Sequence, residues 1–505
     1  RALPLQGRSQ GFESPSLHVI IVEVHRDLRA EAPSVPDLSQ ALYCQRVSAD
    51  GEPGGGGGPS GIVRGHPRVL TLVAANTFSN FGSAVSMLAF SYVSYVITGS
   101  LIASVVVMAA SALPALVLMQ PAARLTMRFD LRGLCAALAV AKMALFFAVG
   151  IFVGLGYVSF WLLLITSLVN GIIGAFTFPP WNNFLREIAP AGRIADLDSV
   201  LMSTSAIAGI LGVLTGGLML DTWGLASLFY VNAISYAVYA VPFALFPPVR
   251  AVRSGQARPS LREAATVIRD AEMLRRFVIM ALIVQLVAWP LLNLLPKISA
   301  TIGPNAMIFS LLLSSIYAGM ALVAPILSLR EKRRSPWQIA MVALIILMTA
   351  TIIVGVSPLI DDNSRLILLM VAFIPLGMAL NMTTVLSSAA VQSGAPDEHE
   401  ASVLAVYSAG ITVITPVGAL IVAAIADATN VWAAVVVEAL GIGVLLAFLA
   451  TPRMRRHLDH TLSGQHHVIH RHALHGAVGR NLPGDLEPVR GRDGDSAISG
   501  DPPET

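Results

Sequence analysis

Residues 247–276 read PPVRAVRSGQARPSLREAATVIRDAEMLRR, the one long polar stretch between Val69 and Thr451. Seven arginines (Arg250, Arg253, Arg258, Arg262, Arg269, Arg275 and Arg276) stand against three acids, Glu263, Asp270 and Glu272. On either side lies a block of similar length, built from apolar runs of about twenty residues, long enough to cross a bilayer as a helix. The stretch is therefore read as a hinge joining two membrane-embedded halves. Ser260 and Glu263 have the spacing of a capping box, in which the serine takes the third helical amide and the glutamate reaches back. This predicts a short basic helix lying on the membrane surface; a disordered charged linker is the alternative.

Composition agrees with a membrane protein. The chain has 505 residues, 55% of them hydrophobic and 12% charged, with a mean hydropathy of +0.71. Soluble domains carry about a quarter charged residues. A net charge of +3 with the arginines in short loops points to membrane orientation and not to nucleic-acid binding. Cys44 and Cys135 form neither a disulfide framework nor a CxxC metal site.

Twelve helical spans are expected near 69–96, 101–120, 133–153, 158–178, 199–221, 227–247, 277–296, 306–329, 337–358, 366–388, 402–427 and 431–451. If the first begins in the cytoplasm, cytoplasmic loops hold Arg124, Arg128, Arg132, Arg186, Arg193, the hinge arginines, Arg330, Lys332, Arg333, Arg334, Arg453, Arg455 and Arg456. Opposite loops hold only Lys297 and Arg365. The asymmetry places both termini inside. Trp161, Trp181, Trp223, Trp337 and Trp432 fall at span ends, where amphipathic rings prefer to sit, whereas Trp289 lies inside a span.

The ends of the chain read differently. Residues 1–66 contain a glycine run at 54–58 and no methionine, the first being Met87. Gly11 to Pro15 can be encoded by DNA resembling an arm of a transfer RNA gene. The segment is read as disordered and as translated upstream DNA, with the start near Val63. Residues 452–505 are read as a disordered cytoplasmic tail. It holds His457, His460, His466, His467, His470, His472 and His475, a solvated run with no accompanying metal-ligand spacing.

A path through a bilayer needs polar groups that face inward. Four spans carry them at offsets of three and four, on one helix face. These are Asn76, Asn80 and Ser83 in the first, Ser167 and Asn170 in the fourth, Gln285, Trp289 and Asn293 in the seventh, and Asn381, Thr384 and Ser388 in the tenth. Their recurrence on spans one, four, seven and ten suits a central substrate cavity; hydrogen bonding that glues helices together is the rival reading. In the fifth span Gly212, Gly216 and Gly217, with Gly209, allow close packing. Ionisable groups inside spans are Lys142 and Glu438, candidates for proton coupling, for a structural pair with each other or for snorkelling. Asp221 and Asp427 lie at span ends and are read as hydrated. No HExxH, GxSxG or P-loop points to an enzyme.

With these residues in view, the chain resembles the major facilitator superfamily over about 68–451, and within it the bacterial exporter branch of enterobactin-exporter-like and macrolide-efflux-like proteins. The likeness rests on SNFGS (79–83), ITGS (97–100), LPALVL (113–118), FPPWNNFLREIAPAGRIADLDS (178–199), GVLTGGLML (212–220), SLREAATVIRDAEMLRR (260–276), NLLPKI (293–298) and TPVGAL (415–420). It implies an all-α membrane fold of two six-helix bundles, 67–249 and 277–451, joined by a hinge at 250–276 and working by alternating access.

The loop 120–133, QPAARLTMRFDLRG, keeps Arg128, Asp130 and Arg132 of the superfamily's conformational switch. It has Ala123 for a glycine and Met127 for an acid. In the antiporter pattern of the fifth span Val213 replaces proline, and Ser167 stands where many proton-coupled drug antiporters have arginine.

The resemblance thus implies a secondary transporter in the bacterial plasma membrane, monomeric and without a cofactor. It would export a small amphiphilic compound, a drug-like metabolite or siderophore, with protons as the exchanged ion. An uncoupled facilitator or importer and a non-transporting sensor or partner protein are the alternatives.

Overall fold

The computed structural model describes residues 66–189, 193–249, 261–329, 336–396 and 399–451. The proposed non-coding segment, Ser260 of the capping box and the histidine tail lie outside them. Among the described residues twelve helices are long and apolar enough to span a membrane. They are α1 (Pro67–Thr98), α2 (Leu101–Thr126), α3 (Leu131–Gly154), α4 (Phe160–Ile188), α5 (Ile194–Trp223) and α6 (Leu225–Leu245) in the first half. After the hinge helix α7 (Leu261–Asp270) come α8 (Glu272–Ala300), α9 (Ala306–Leu329), α10 (Pro336–Val356), α11 (Asp362–Gly394), α12 (Glu400–Ala428) and α13 (Val431–Leu449). The protein is a multi-pass membrane protein. Side chains such as Val117 (78% exposed) and Val444 (71%) cover its outside, tolerable against lipid and costly against water.

In the first bundle α1 packs between α5 and α6, and α2 lies along α4. In the second, α9 and α10 flank α11, and α8 touches α11, α12 and α13. Backbones come very close where glycine allows it. A Cβ at Gly171 would sit 2.3 Å from the Ser111 carbonyl oxygen, and one at Gly377 would sit 2.0 Å from that of Ile316. Between the bundles the main seams are α5 with α9 and α2 with α12.

The first helix of each half is irregular beyond its midpoint. α1 passes through a π turn at Ala89–Val93, and α8 through a 3-10 segment at Pro290–Leu294. Pro290 lacks an amide hydrogen and so removes one rung of the α ladder where the segment begins. Pro179 and Pro180, by contrast, lie within an unbroken α4 that runs ten residues past the expected end at 178.

The hinge helix differs from expectation. Its apolar side does not lie free for lipid: Ala264 and Ile268 are buried. Ile268 packs with Leu274, Val278, Val391, Val403 and Tyr407 of α8, α11 and α12. The helix is amphipathic, and its apolar face is covered by the second bundle. Arg275 donates to the Arg269 carbonyl and closes the corner into α8.

Candidate functional site

The polar stripes fall into two groups. In the second bundle, α8 and α11 bring three of the expected residues together. Gln285 Nε2 donates to Thr384 Oγ1 at 3.1 Å, and Trp289 Nε1 donates to the same oxygen at 3.3 Å. Thr384 hands its own hydroxyl hydrogen back to the Leu380 carbonyl at 3.0 Å. Gln285 is buried, while Trp289 and Thr384 are half-buried. An indole, an amide and a hydroxyl thus meet without a charge near the middle of two spans. Asn293, one turn beyond Trp289, is half-buried within the broken segment of α8.

The other stripe residues mostly fasten neighbouring helices. Asn381 Nδ2 donates to the Met320 carbonyl of α9 at 2.8 Å. Ser167 Oγ donates to the Val107 carbonyl of α2 at 2.6 Å. Asn80 Nδ2 donates to Ser205 Oγ of α5 at 2.8 Å and to the Asn76 carbonyl at 3.0 Å. Ser83 and the Tyr236 hydroxyl are 3.0 Å apart. Asn170 has a buried Oδ1 with no hydrogen-bond partner among the described residues, and Asn76 is half-buried. For Ser167, Asn80 and Asn381 the gluing interpretation accounts for the bonds seen.

Lys142 and Glu438 do not meet. Lys142 Nζ donates to the Tyr236 hydroxyl at 3.4 Å and stands 5.1 Å from the centre of that ring, inside the first bundle. Glu438 is buried in α13 of the second, and its Oε1 accepts the Leu291 amide at 3.0 Å. Leu291 lies in the broken stretch of α8, so the carboxylate satisfies an amide that the helix has orphaned. Its other oxygen, Oε2, is buried and has no partner among the described residues.

Of the expected switch residues, Asp130 and Arg132 keep to their own bundle. Asp130 caps α3 by accepting the Gly133 amide at 2.9 Å, and its other oxygen takes the Val249 amide at 2.6 Å. Arg132 lies 3.5 Å from Asp130 and donates to the Phe246 carbonyl at 2.8 Å. The pair ties the α2–α3 turn to the end of α6, where the hinge begins. Arg128 is exposed. Among the glycines, Gly212 and Gly216 press α5 onto α1, at Phe81 and Val85. Gly217 faces the other bundle, where a Cβ would lie 2.1 Å from Ser310 Oγ.

Sequence reasoning missed the side chains that join the bundles. Asp221 and Asp427 are not merely hydrated. Asp221, near the end of α5, accepts the amides of Ala306 and Met307 at 3.1 and 3.0 Å. Asp427, near the end of α12, accepts those of Leu101 and Ile102 at 3.2 and 3.1 Å and the Ser100 hydroxyl at 2.8 Å. One available signal was their shared place, the end of the fifth span in each half. Lys297 and Arg365, expected in loops, sit in helices at this same end. Lys297 Nζ reaches the Ala426 carbonyl at 2.6 Å and Asp427 at 3.3 Å. Arg365 donates to Thr301 Oγ1 at 2.7 Å and stacks over Trp432.

This geometry can be set beside known proteins. The sequence pattern of the Major Facilitator Superfamily matches residues 69–408. The chain belongs to that superfamily. "Uncharacterized MFS-type transporter YfiS" of Bacillus subtilis (strain 168) is 25% identical over 188 residues, 37% of this chain and 44% of that protein. The likeness thus spans less than half the length of that relative. The fold is similar to the nucleoside transporter NupG, with a TM-score of 0.61 and 13% identity over 76% of this chain and 98% of that one. It is also similar to a bacterial homolog of the human lysosomal transporter Spinster in an inward-facing, unoccupied conformation (TM-score 0.56, 13% identity, 77% and 97%). A third similar structure is a POT family transporter in complex with 5-aminolevulinic acid (TM-score 0.58, 13%, 77% and 97%). The superfamily assignment agrees with the twelve spans of the described residues.

Proposed function

We propose that the protein is a secondary exporter of a small, neutral, amphiphilic compound, a drug-like metabolite or siderophore, working by alternating access in exchange for protons. The observation that carries the substrate class is the Gln285–Thr384–Trp289 cluster, which offers a flat apolar ring beside uncharged donors and acceptors. A pocket of this chemistry holds a ligand by apolar burial and a few polar contacts, with no penalty for stripping water from an ion. Asn293, Asn170 and Asn76, each half-buried, extend the polar lining, and Glu438 is the proton carrier. We read the arginine asymmetry as favouring a cytoplasmic hinge side, and on this reading the protein is an exporter of the bacterial plasma membrane related to the enterobactin and macrolide branch.

The test is efflux from cells or everted vesicles loaded with fluorescent amphiphiles. Thr384→Val and Gln285→Leu are expected to raise KM for neutral compounds several-fold. Efflux of no amphiphile, together with selective transport of a strongly charged solute, would contradict the reading.

A further inference from the structure

The two bundles are hydrogen-bonded to each other in a manner that repeats with two-fold symmetry. Asp221 belongs to the fifth span of the first half and holds the N-terminus of the second span of the other half, α9. Asp427 belongs to the fifth span of the second half and holds the N-terminus of α2. In each case one carboxylate takes the first two amides of a helix, with one oxygen on each. Those amides have no partner within their own helix, and the helix dipole places partial positive charge there. Ser100 completes the second junction, since its hydroxyl donates to Asp427 while its oxygen accepts the Ala103 amide at 3.3 Å.

All four helix ends lie on the face opposite the hinge. Two further contacts between the bundles lie on the same side of the seam: the Tyr92 and Phe309 rings, 5.3 Å apart, and the close approach of Gly217 to Ser310. Deeper in, the Tyr317 hydroxyl donates to Met87 Sδ at 3.2 Å. Separating the bundles at this face must leave four helix amides and two carboxylates to find water.

We propose that Asp221 and Asp427 are the paired latch that holds the face opposite the hinge closed, and that transport toward that face requires both to let go. The proposal rests on the alternating-access reading and supplies the groups that set its resting state. Lys297 makes the pair unequal: it holds Asp427 from within its own bundle at 3.3 Å. It therefore orients that carboxylate without itself bridging the seam.

Spin labels test the latch without any substrate. Tyr157 and Leu359 are exposed at this face, one on each bundle. They would be changed to cysteine for labelling, with Cys44→Ser and Cys135→Ser in the background, and their separation measured in lipid nanodiscs. The short distance should dominate in the otherwise native protein. Asp221→Asn and Asp427→Asn should each raise the ratio of long to short distances roughly 5- to 30-fold, and together by about the product. Lys297→Gln should shift it the same way by less. Gly217→Trp, which cannot fit against Ser310, is the wedge that opens the face regardless of the latch. If the wedge lengthens the distance and neither aspartate variant nor their double does, the latch is wrong while alternating access stands. If nothing lengthens it, alternating access and the latch fall together.

Discussion

Replacing Asp130 with alanine separates two roles that the loop between α2 and α3 could play. In the structure its partners are the Gly133 and Val249 amides and Arg132, all in the first bundle. Loss of the cap on α3 costs about 1 kcal/mol. Loss of a charged acceptor for the Val249 amide costs about 1.5–3 kcal/mol. The Asp130 side chain is 27% exposed, so water recovers part of this, and a total near 2–4 kcal/mol is expected. At about 2–4 °C per kcal/mol for a unit of 150–250 residues, Tm should fall by roughly 5–15 °C. Asp130→Asn keeps a capping oxygen and should lose about half as much, and Arg128→Ala, at an exposed position, should lose nearly nothing. The assay is thermal melting by intrinsic fluorescence in one detergent. The Tyr157–Leu359 label distance, measured alongside, should stay unchanged. A native Tm for Asp130→Ala, or a changed label distance without a fall in Tm, would refute the anchoring role and return Asp130 to the conformational switch.

Three other perturbations follow from the packing. Gly377→Ala puts a Cβ against the Ile316 carbonyl and should cost about 1–3 kcal/mol; Gly174→Ala, with nothing within 4 Å, should melt like the native protein. Glu438→Leu strands the Leu291 amide and should destabilise by about 1–3 kcal/mol. Glu438→Gln, which retains an acceptor oxygen, should melt within about 1 kcal/mol of native while losing proton exchange. Thr384→Val removes the acceptor shared by Gln285 and Trp289, and a titration that follows quenching of indole emission should show amphiphile affinity falling about tenfold or less.

Twelve spans and the two-bundle fold were legible because each is written in runs of about twenty residues, a scale that single substitutions do not obscure. Partners were not. Asn80 meets Ser205 of α5 and Ser83 meets Tyr236 of α6, and periodicity does not say which neighbour a face of α1 meets. Asp427 and Ile102 are joined across 325 positions, beyond any local pattern. The hinge helix shows the same limit: Ala264 and Ile268 define an apolar face, and lipid or a protein groove would satisfy it equally. The break in α8 begins at Pro290, but Pro179 and Pro180 sit in an unbroken helix, so proline alone does not mark such a break. The π turn in α1 carried no sequence signal. Lys142 and Glu438 look complementary as letters, yet they belong to different bundles, and each found a neutral partner.

Exchange of a neutral amphiphile for protons is measured in the protein reconstituted in liposomes under an imposed pH gradient, with proton release recorded as amphiphiles are added, beside Glu438→Gln. Compound-dependent proton flux is expected in the native protein and none in the variant. Compound equilibration without proton flux in the native protein would contradict exchange, and equal flux in both would remove Glu438 as the carrier.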